Sequence, residues 1–247
     1  MRGPMMIGDV VRAARRAIGG LVAEDSPRPR LCFSCRAESV GVRPGMCERC
    51  RRQVERERAH MIAERILIPP RFRWARLDRV HFAPAPELSP APPWAVEKVR
   101  AFDGSLLVLR GGTDTYKTSL AAARLLHEGE AGRSAIMVLC EDLAPDARDQ
   151  DRAHALLVRA AQEQVVLLDD LGQDLSGAPA GGGLASFRGA RARRLIRQMH
   201  NDIGIGGRRR TLMVTTGLTD DQISAAYGDD IARRLLGDSP GTMVISL

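Results

Sequence analysis

Five short apolar runs, at residues 106–110, 135–139, 165–168, 211–215 and 242–246, are each parted from the next by a stretch long enough to hold a helix. A run that is apolar with almost no alternation reads as a strand covered on both faces, and strands joined by helical crossovers pair in parallel. The helices are expected over 94–101, 118–127, 220–227 and 230–236, and near 151–162 and 187–201. This pattern dictates an α/β domain on a parallel sheet spanning residues 94–247. With 44% hydrophobic and 27% charged residues in 247, the chain holds one good-sized core and a small appended module.

Ligands of open parallel sheets gather at the carboxyl ends of the strands. After the first run come Gly111-Gly112-Thr113-Asp114-Thr115-Tyr116-Lys117-Thr118-Ser119. Strand, tight loop and helix start make the layout of a phosphate-binding loop, in which backbone N–H groups wrap phosphates while Lys and Thr serve phosphate and metal. Gly111, Gly112, Thr113, Thr115, Lys117, Thr118 and Ser119 are therefore the expected nucleotide-binding set. Of 37 basic residues only Lys98 and Lys117 are lysines. A compact ammonium on a flexible stem reaches into such a loop in a way a planar guanidinium does not. Two residues break the pattern. Tyr116 replaces the glycine that precedes the lysine, and Asp114 brings a carboxylate toward the phosphates. At about 4 Å and an effective dielectric near 20, each such like-charge pair opposes binding by about 4 kcal/mol.

The third run ends in Asp169-Asp170, 52 residues after Lys117. Asp169 is expected to hold Mg2+, usually through water, and Asp170 to polarise an attacking water. An apolar strand before a polar turn is common in α/β proteins; its order after the loop gives it meaning.

The first third of the chain is different. Residues 1–73 carry 16 Arg against 8 Asp or Glu, so the net charge of +7 is concentrated there. That surface either meets nucleic acid or an acidic partner, or is a solvated face. The preference for Arg over Lys itself fits the codon usage of a GC-rich genome. Cys32-Phe33-Ser34-Cys35 and Cys47-Glu48-Arg49-Cys50 form two CxxC pairs with 11 residues between them. Two thiolate pairs on tight turns complete a tetrahedral structural Zn2+ site of Cys32, Cys35, Cys47 and Cys50. Neither pair has the strand-then-helix context of a redox motif, and disulfides are disfavoured in the cytosol. Cys140, at the end of an apolar run, is expected in the core. Amphipathic helices are expected over 10–22 and 51–68, the second ended by Pro69-Pro70. A proline-rich connection follows, giving a zinc module over 1–68, a linker over 69–93 and the α/β domain beyond. Nothing in the sequence spans a bilayer or reads as a signal peptide, so a cytoplasmic location is expected.

Taken together, these elements resemble the DnaC/DnaI bacterial helicase loaders and the related IstB transposition ATPases, of the AAA+ class. The resemblance rests on Ile68-Pro69-Pro70-Arg71-Phe72-Arg73, the altered loop, Asp169-Asp170-Leu171-Gly172, Thr211-Leu212-Met213-Val214-Thr215-Thr216-Gly217 and Tyr227-Gly228-Asp229-Asp230-Ile231-Ala232-Arg233-Arg234-Leu235. It implies a parallel-sheet AAA+ P-loop domain behind a small helical zinc module, binding ATP or ADP with Mg2+. It also implies self-association, with Arg234 (or its neighbour Arg233) reaching the next subunit's nucleotide. The implied partners are a replicative DNA helicase, met through the zinc module, and single-stranded DNA. Arg188, Arg191, Arg193, Arg194 and Arg197, with Arg208, Arg209 and Arg210, would contact that strand or form a solvated face. The family's sensor Asn is Gly217 here, and Thr216 is the expected substitute. Two alternatives stand beside the loader: a non-hydrolysing adaptor acting through its zinc module, and a transposition ATPase.

Overall fold

A computed structural model of the chain describes residues 30–31, 35, 38–39, 46–77, 91–143, 150–175, 189–202, 210–237 and 240–247. The expected helix at 10–22 and most of the proline-rich connection lie outside them. The contacts divide the chain into a smaller unit, Met1–Glu57, and a larger one, Arg58–Leu247. In the smaller unit β1 (Arg30–Leu31) pairs antiparallel with β2 (Glu38–Ser39). Helix α1 (Glu48–Arg65) begins there and runs on into the larger unit. Its first turns are exposed and carry their own ion pairs, Glu48 accepting from Arg51 and from Arg52 at 2.8 Å.

The larger unit is the parallel sheet. Its strands β3 (Leu106–Arg110), β4 (Ala135–Leu139), β5 (Val165–Leu171), β6 (Thr211–Thr216) and β7 (Thr242–Ser246) lie in the order β4-β5-β6-β3-β7, every neighbouring pair parallel. Side-chain alternation splits the core in two. Leu107, Leu109, Val165, Leu167 and Met213 face α2 (Pro93–Ala101), α3 (Lys117–Glu130) and the end of α1. Leu106, Val108, Val166, Leu168, Leu212 and Val214 face α4 (Gln150–Ala160), α5 (Ala190–Asn201), α6 (Asp220–Tyr227) and α7 (Asp229–Leu236). Helices on both faces are what nearly continuous apolar strands require.

Buried charges brace the α3 face. Glu128, 6% exposed, bonds both Arg124 and Arg133, and Arg133 reaches Thr211 at the start of β6 at 3.1 Å. Arg124 also donates to the Arg100 carbonyl at 2.9 Å, tying α3 to the end of α2. Burial works against the Glu128 charge, but the bond from Arg133 and the charges of both arginines hold its carboxyl below the usual range.

Helix α1 ends at Arg65, three residues before the end expected from Pro69. Leu67 N–H bonds the Glu64 carbonyl at 3.1 Å and Ile68 N–H the Ala63 carbonyl at 2.9 Å, the crossed pair of a Schellman turn. The turn puts Leu67 at φ 62°, where glycine is the usual residue. It also aims the Ile66 carbonyl at Met137 N–H, at 2.8 Å, so that the edge strand β4 is capped. Close by, a Cβ on Gly129 would lie 3.0 Å from an Ile62 methyl, so the α1–α3 approach depends on that glycine. Leu67 is 43% exposed and contributes little packing. Leu67→Gly should therefore stabilise the larger unit by about 1 kcal/mol, read as a raised melting temperature; an unchanged or lower melt would refute the strain.

Candidate functional site

Parallel strands open their carboxyl ends on one edge, so β3 and β5, with β6 between them, deliver their following residues to the same place. The loop after β3 keeps Gly111 and Gly112 but carries non-glycine residues at its two left-handed positions. Asp114 has φ 60° and Tyr116 φ 63°, left-handed values that glycine would adopt without strain. Gly111 (φ 152°) has no room for a side chain, since a Cβ there would lie 2.3 Å from the Leu247 carbonyl oxygen. Thr115 Oγ1 donates to the Gly112 carbonyl at 2.9 Å.

Lys117 starts α3 and folds over the loop. Its Nζ donates to the Gly111 carbonyl at 2.9 Å, to the Gly112 carbonyl, and to Thr115 Oγ1 at 3.2 Å. Burial lowers the Lys117 pKa, and the charges of Asp170, Asp169 and Asp114 work to restore it. Asp114 is exposed, so solvent screens the charge it places beside the cradle.

The two carboxylates are separated by a kink. Leu168 pairs with Val214 and Leu171 with Thr216, so β5 has one extra residue against β6 at Asp169-Asp170. Asp170 takes φ 59° at this bulge. Alternation places Asp169 on the α3 face, 3% exposed, where its Oδ1 accepts from Thr215 Oγ1 at 2.7 Å and its carboxyl bonds Thr118. Burial raises the Asp169 pKa; the two hydroxyls oppose that rise. Asp170 is exposed and lines the cavity.

Thr216 does not join them, which corrects the sequence reading. Alternation along β6 turns Thr215 toward α3 and Thr216 to the opposite face. The Thr216 hydroxyl is fully buried, donates to the Leu171 carbonyl at 2.8 Å and accepts from Leu218 N–H at 3.0 Å. Thr215, a residue the motif reading passed over, makes the contact instead. Period-2 alternation counted from Met213 was the available signal.

A cavity of about 530 Å³ opens over these groups, lined by residues 113–119, Asp170–Gln173, Gly217 and Leu218, with Phe72 and Trp74 on another side. Gly111, Gly112 and Asp169 are not among its lining residues. Sequence reasoning did not assign Phe72 and Trp74 to the site, because nothing local links a segment after α1 to a loop some forty residues on. Arg71 stacks 4.9 Å over the Phe72 ring centre, and its charge reaches Asp169.

Arg234 lies outside this chain's own cavity. It is half-buried, donating to His200 Nδ1 at 2.9 Å and Asn201 Oδ1 at 3.1 Å, while Arg233 is exposed. Burial, then the Arg234 charge, lower the His200 pKa, keeping the imidazole neutral and able to accept. Other arginines are engaged within the fold. Arg191 bonds the Leu143 carbonyl and Gln150, Arg197 bonds Asp230 at 2.9 Å, and Arg210 bonds Asp202 and the Ala161 and Glu163 carbonyls. Arg194 is exposed on α5; Arg188, Arg208 and Arg209 fall outside the described residues.

In the smaller unit, the sulfurs of Cys35, Cys47 and Cys50 lie within 4.8 Å of one another, Cys35 and Cys47 at 3.6 Å. Three thiols so gathered suit a soft cation such as Zn2+. Cys32 lies outside the described residues. Cys140 is fully buried, and burial pushes its thiol pKa up. Among the described residues no helix is long and apolar enough to cross a membrane.

No family model matches the sequence, and the search of curated proteins gave no match. Solved structures do resemble it. The replication initiator DnaA bound to AMPPCP and single-stranded DNA aligns with a TM-score of 0.51 at 14% identity, over 73% of this chain and 50% of that one. AMPPCP-bound DnaA from Aquifex aeolicus gives 0.49 at 16%, over 73% and 51%. The DnaC helicase loader gives 0.49 at 18%, over 72% of this chain and 99% of that one. The chain spans about half the length of the DnaA structures it matches. With its strand order, the larger unit has the parallel-sheet α/β fold of the DnaA structure it aligns with.

If the Thr216 hydroxyl serves the fold, deleting it strands a buried carbonyl and a partly buried N–H. Thr216→Val should cost about 1–3 kcal/mol in denaturant unfolding; a neutral variant would return that hydroxyl to the list of active groups.

Proposed function

We propose that the chain is a nucleotide-binding helicase loader of DNA replication. One observation carries the reading: Lys117, Thr118 and Asp170 line one cavity at the carboxyl edge of the sheet, and the buried Asp169 bonds Thr118. At about 530 Å³ the cavity is within the usual range for small-molecule sites, and Tyr116 is among its lining residues. The loop amides and the Lys117 ammonium would bind the phosphates of ATP or ADP. Thr118, Asp169 and Asp170 offer hard oxygen ligands, a donor set that suits Mg2+. Bound there, Mg2+ would neutralise charge on phosphate oxygens. Asp170, exposed at the bulge, would hold a water by its carboxylate. Phe72 and Trp74 supply flat apolar surface beside the phosphate end.

Copies of the larger unit would stack through these nucleotide sites, presenting α7. Its Arg233 is at the surface, whereas Arg234 would first have to leave His200 and Asn201. Single-stranded DNA would meet the exposed Arg194 of α5. The internal engagement of Arg191, Arg197 and Arg210 makes that footprint smaller than the arginine count implies. A module over 1–68 would use Cys32, Cys35, Cys47 and Cys50 to hold Zn2+ and would contact the replicative helicase.

A second reading, a nucleotide-binding adaptor without turnover, draws on the end of β6. Gly217 has no side chain and the Thr216 hydroxyl is committed elsewhere, so neither can orient a water from there. ATP that binds but is not hydrolysed would select this reading.

The loader reading is tested by retention of the cognate replicative helicase on the immobilised chain, with ATP and Mg2+ titrated alongside. Wild type should bind both. Lys117→Ala should lose ATP affinity by at least about tenfold and lose any ATP-dependent share of helicase retention. Helicase that washes off wild type would end the loader reading; a wild type that binds no ATP would end its nucleotide part. The zinc reading is tested by chelation: it should unfold the smaller unit while the cooperative melt of the larger one stays in place. A single shared transition, or no metal released, would count against it.

A further inference from the structure

The structure points to a part for Thr215 that the motifs do not assign. Thr215 lies on β6, the strand between the phosphate-loop strand and the carboxylate strand, in register with Leu109. Its side chain is fully buried, two residues along the strand from Met213 on the same face. A hydroxyl in such a place must be matched on both its donor and acceptor sides. Here both partners belong to the two carboxylate residues. The Oγ1 donates to Asp169 Oδ1 at 2.7 Å and accepts from Asp170 N–H at 2.8 Å.

These bonds do two jobs. The extra residue in β5 takes Asp170 N–H out of the regular ladder, and Thr215 Oγ1 accepts it, so the left-handed bulge that presents the Asp170 carboxylate is pinned. The other bond fixes the Asp169 carboxyl in the position where it also bonds Thr118, the hydroxyl at the start of α3. One threonine thus sets the relative placement of Thr118, Asp169 and Asp170 while lining no part of the cavity itself.

We infer that Thr215 is a positioning residue for the cation-dependent part of nucleotide binding, acting through its hydroxyl on Asp169 and on the Asp170 amide. The inference rests on the nucleotide reading above. Oxygen ligands are effective when hydrogen-bonded partners hold their orientation, and losing such a partner typically costs about 10–100-fold in metal affinity.

The test is a set of ATP titrations, with Mg2+ and with EDTA, on the full chain as wild type, Thr215→Val and Thr215→Ser, each with its melting temperature. Valine keeps the volume and removes the hydroxyl; serine keeps the hydroxyl. Thr215→Val is expected to lose about 10–100-fold in the Mg2+ enhancement of ATP affinity while its EDTA affinity stays within about twofold. Thr215→Ser should restore most of the enhancement. An enhancement that survives in Thr215→Val overturns the inference. So does equal loss with and without Mg2+, which would mark a purely structural threonine. Should the valine variant not fold, Thr215→Ala read in the same way decides the matter. A wild type that binds no ATP under either condition overturns the nucleotide reading and this inference with it, whereas a Mg2+-enhanced wild type with an unaffected valine variant overturns the inference alone.

Discussion

A carboxyl group 3% exposed inside a sheet is tolerable only when its oxygens find donors, and Asp169 finds two hydroxyls. Thr118 comes from the helix after β3 and Thr215 from β6. A single buried group thereby joins the phosphate-loop helix, the carboxylate strand and the strand between them. Where Lys117 can reach, where Asp170 stands and where the cavity opens all depend on that junction. Hydrogen bonds to charged groups contribute about 1.5–3 kcal/mol each, enough to hold a strained bulge next to them.

The loop shows how much of a phosphate cradle is backbone and how much is glycine. Asp114 and Tyr116 sit at φ 60° and 63°, so the path of the chain is kept although both residues bear the strain that glycine avoids. Each non-glycine left-handed residue costs about 1–2 kcal/mol, less for Asp, whose short polar side chain tolerates the region. Asp170 makes a third such residue within the same site. Left-handed residues gathered at one cavity imply surroundings that over-determine them. Lys117 is part of that over-determination, because its ammonium bridges carbonyls on the incoming arm of the loop.

Much of this was legible in the sequence, for a definite reason. Strands buried on both faces are written as unbroken apolar runs, so β3, β4 and β7 begin and end at the residues the runs mark, and β5 and β6 run only a few residues longer. The helices expected over 94–101 and 220–227 match α2 and α6 to within one residue. The misses share a cause. Leu67 in a Schellman turn, the extra residue in β5, and Phe72 and Trp74 beside the loop are all set by tertiary contacts that no local pattern carries. Thr216 was chosen over Thr215 because a motif was read by position, whereas a strand distributes its side chains by parity. The arginines teach the same lesson. Arg191 and Arg210, expected either at nucleic acid or on a solvated face, bond backbone carbonyls within the fold, as Arg124 does, and Arg133 reaches Thr211.

The arginine pair on α7 takes the argument one step further. Adjacent residues on a helix point about 100° apart, so Arg233 and Arg234 cannot both face α5. The fold gives Arg234 to His200 and Asn201, and leaves Arg233 outward. The contact with His200 needs a neutral imidazole, which burial and the guanidinium itself maintain. Arg234 is held by a neutral acceptor and an amide, and its charge also reaches Asp230, the carboxylate that Arg197 bonds. Arg233, whose Nε donates to the Asp229 carbonyl at 3.4 Å, is the exposed member of the pair.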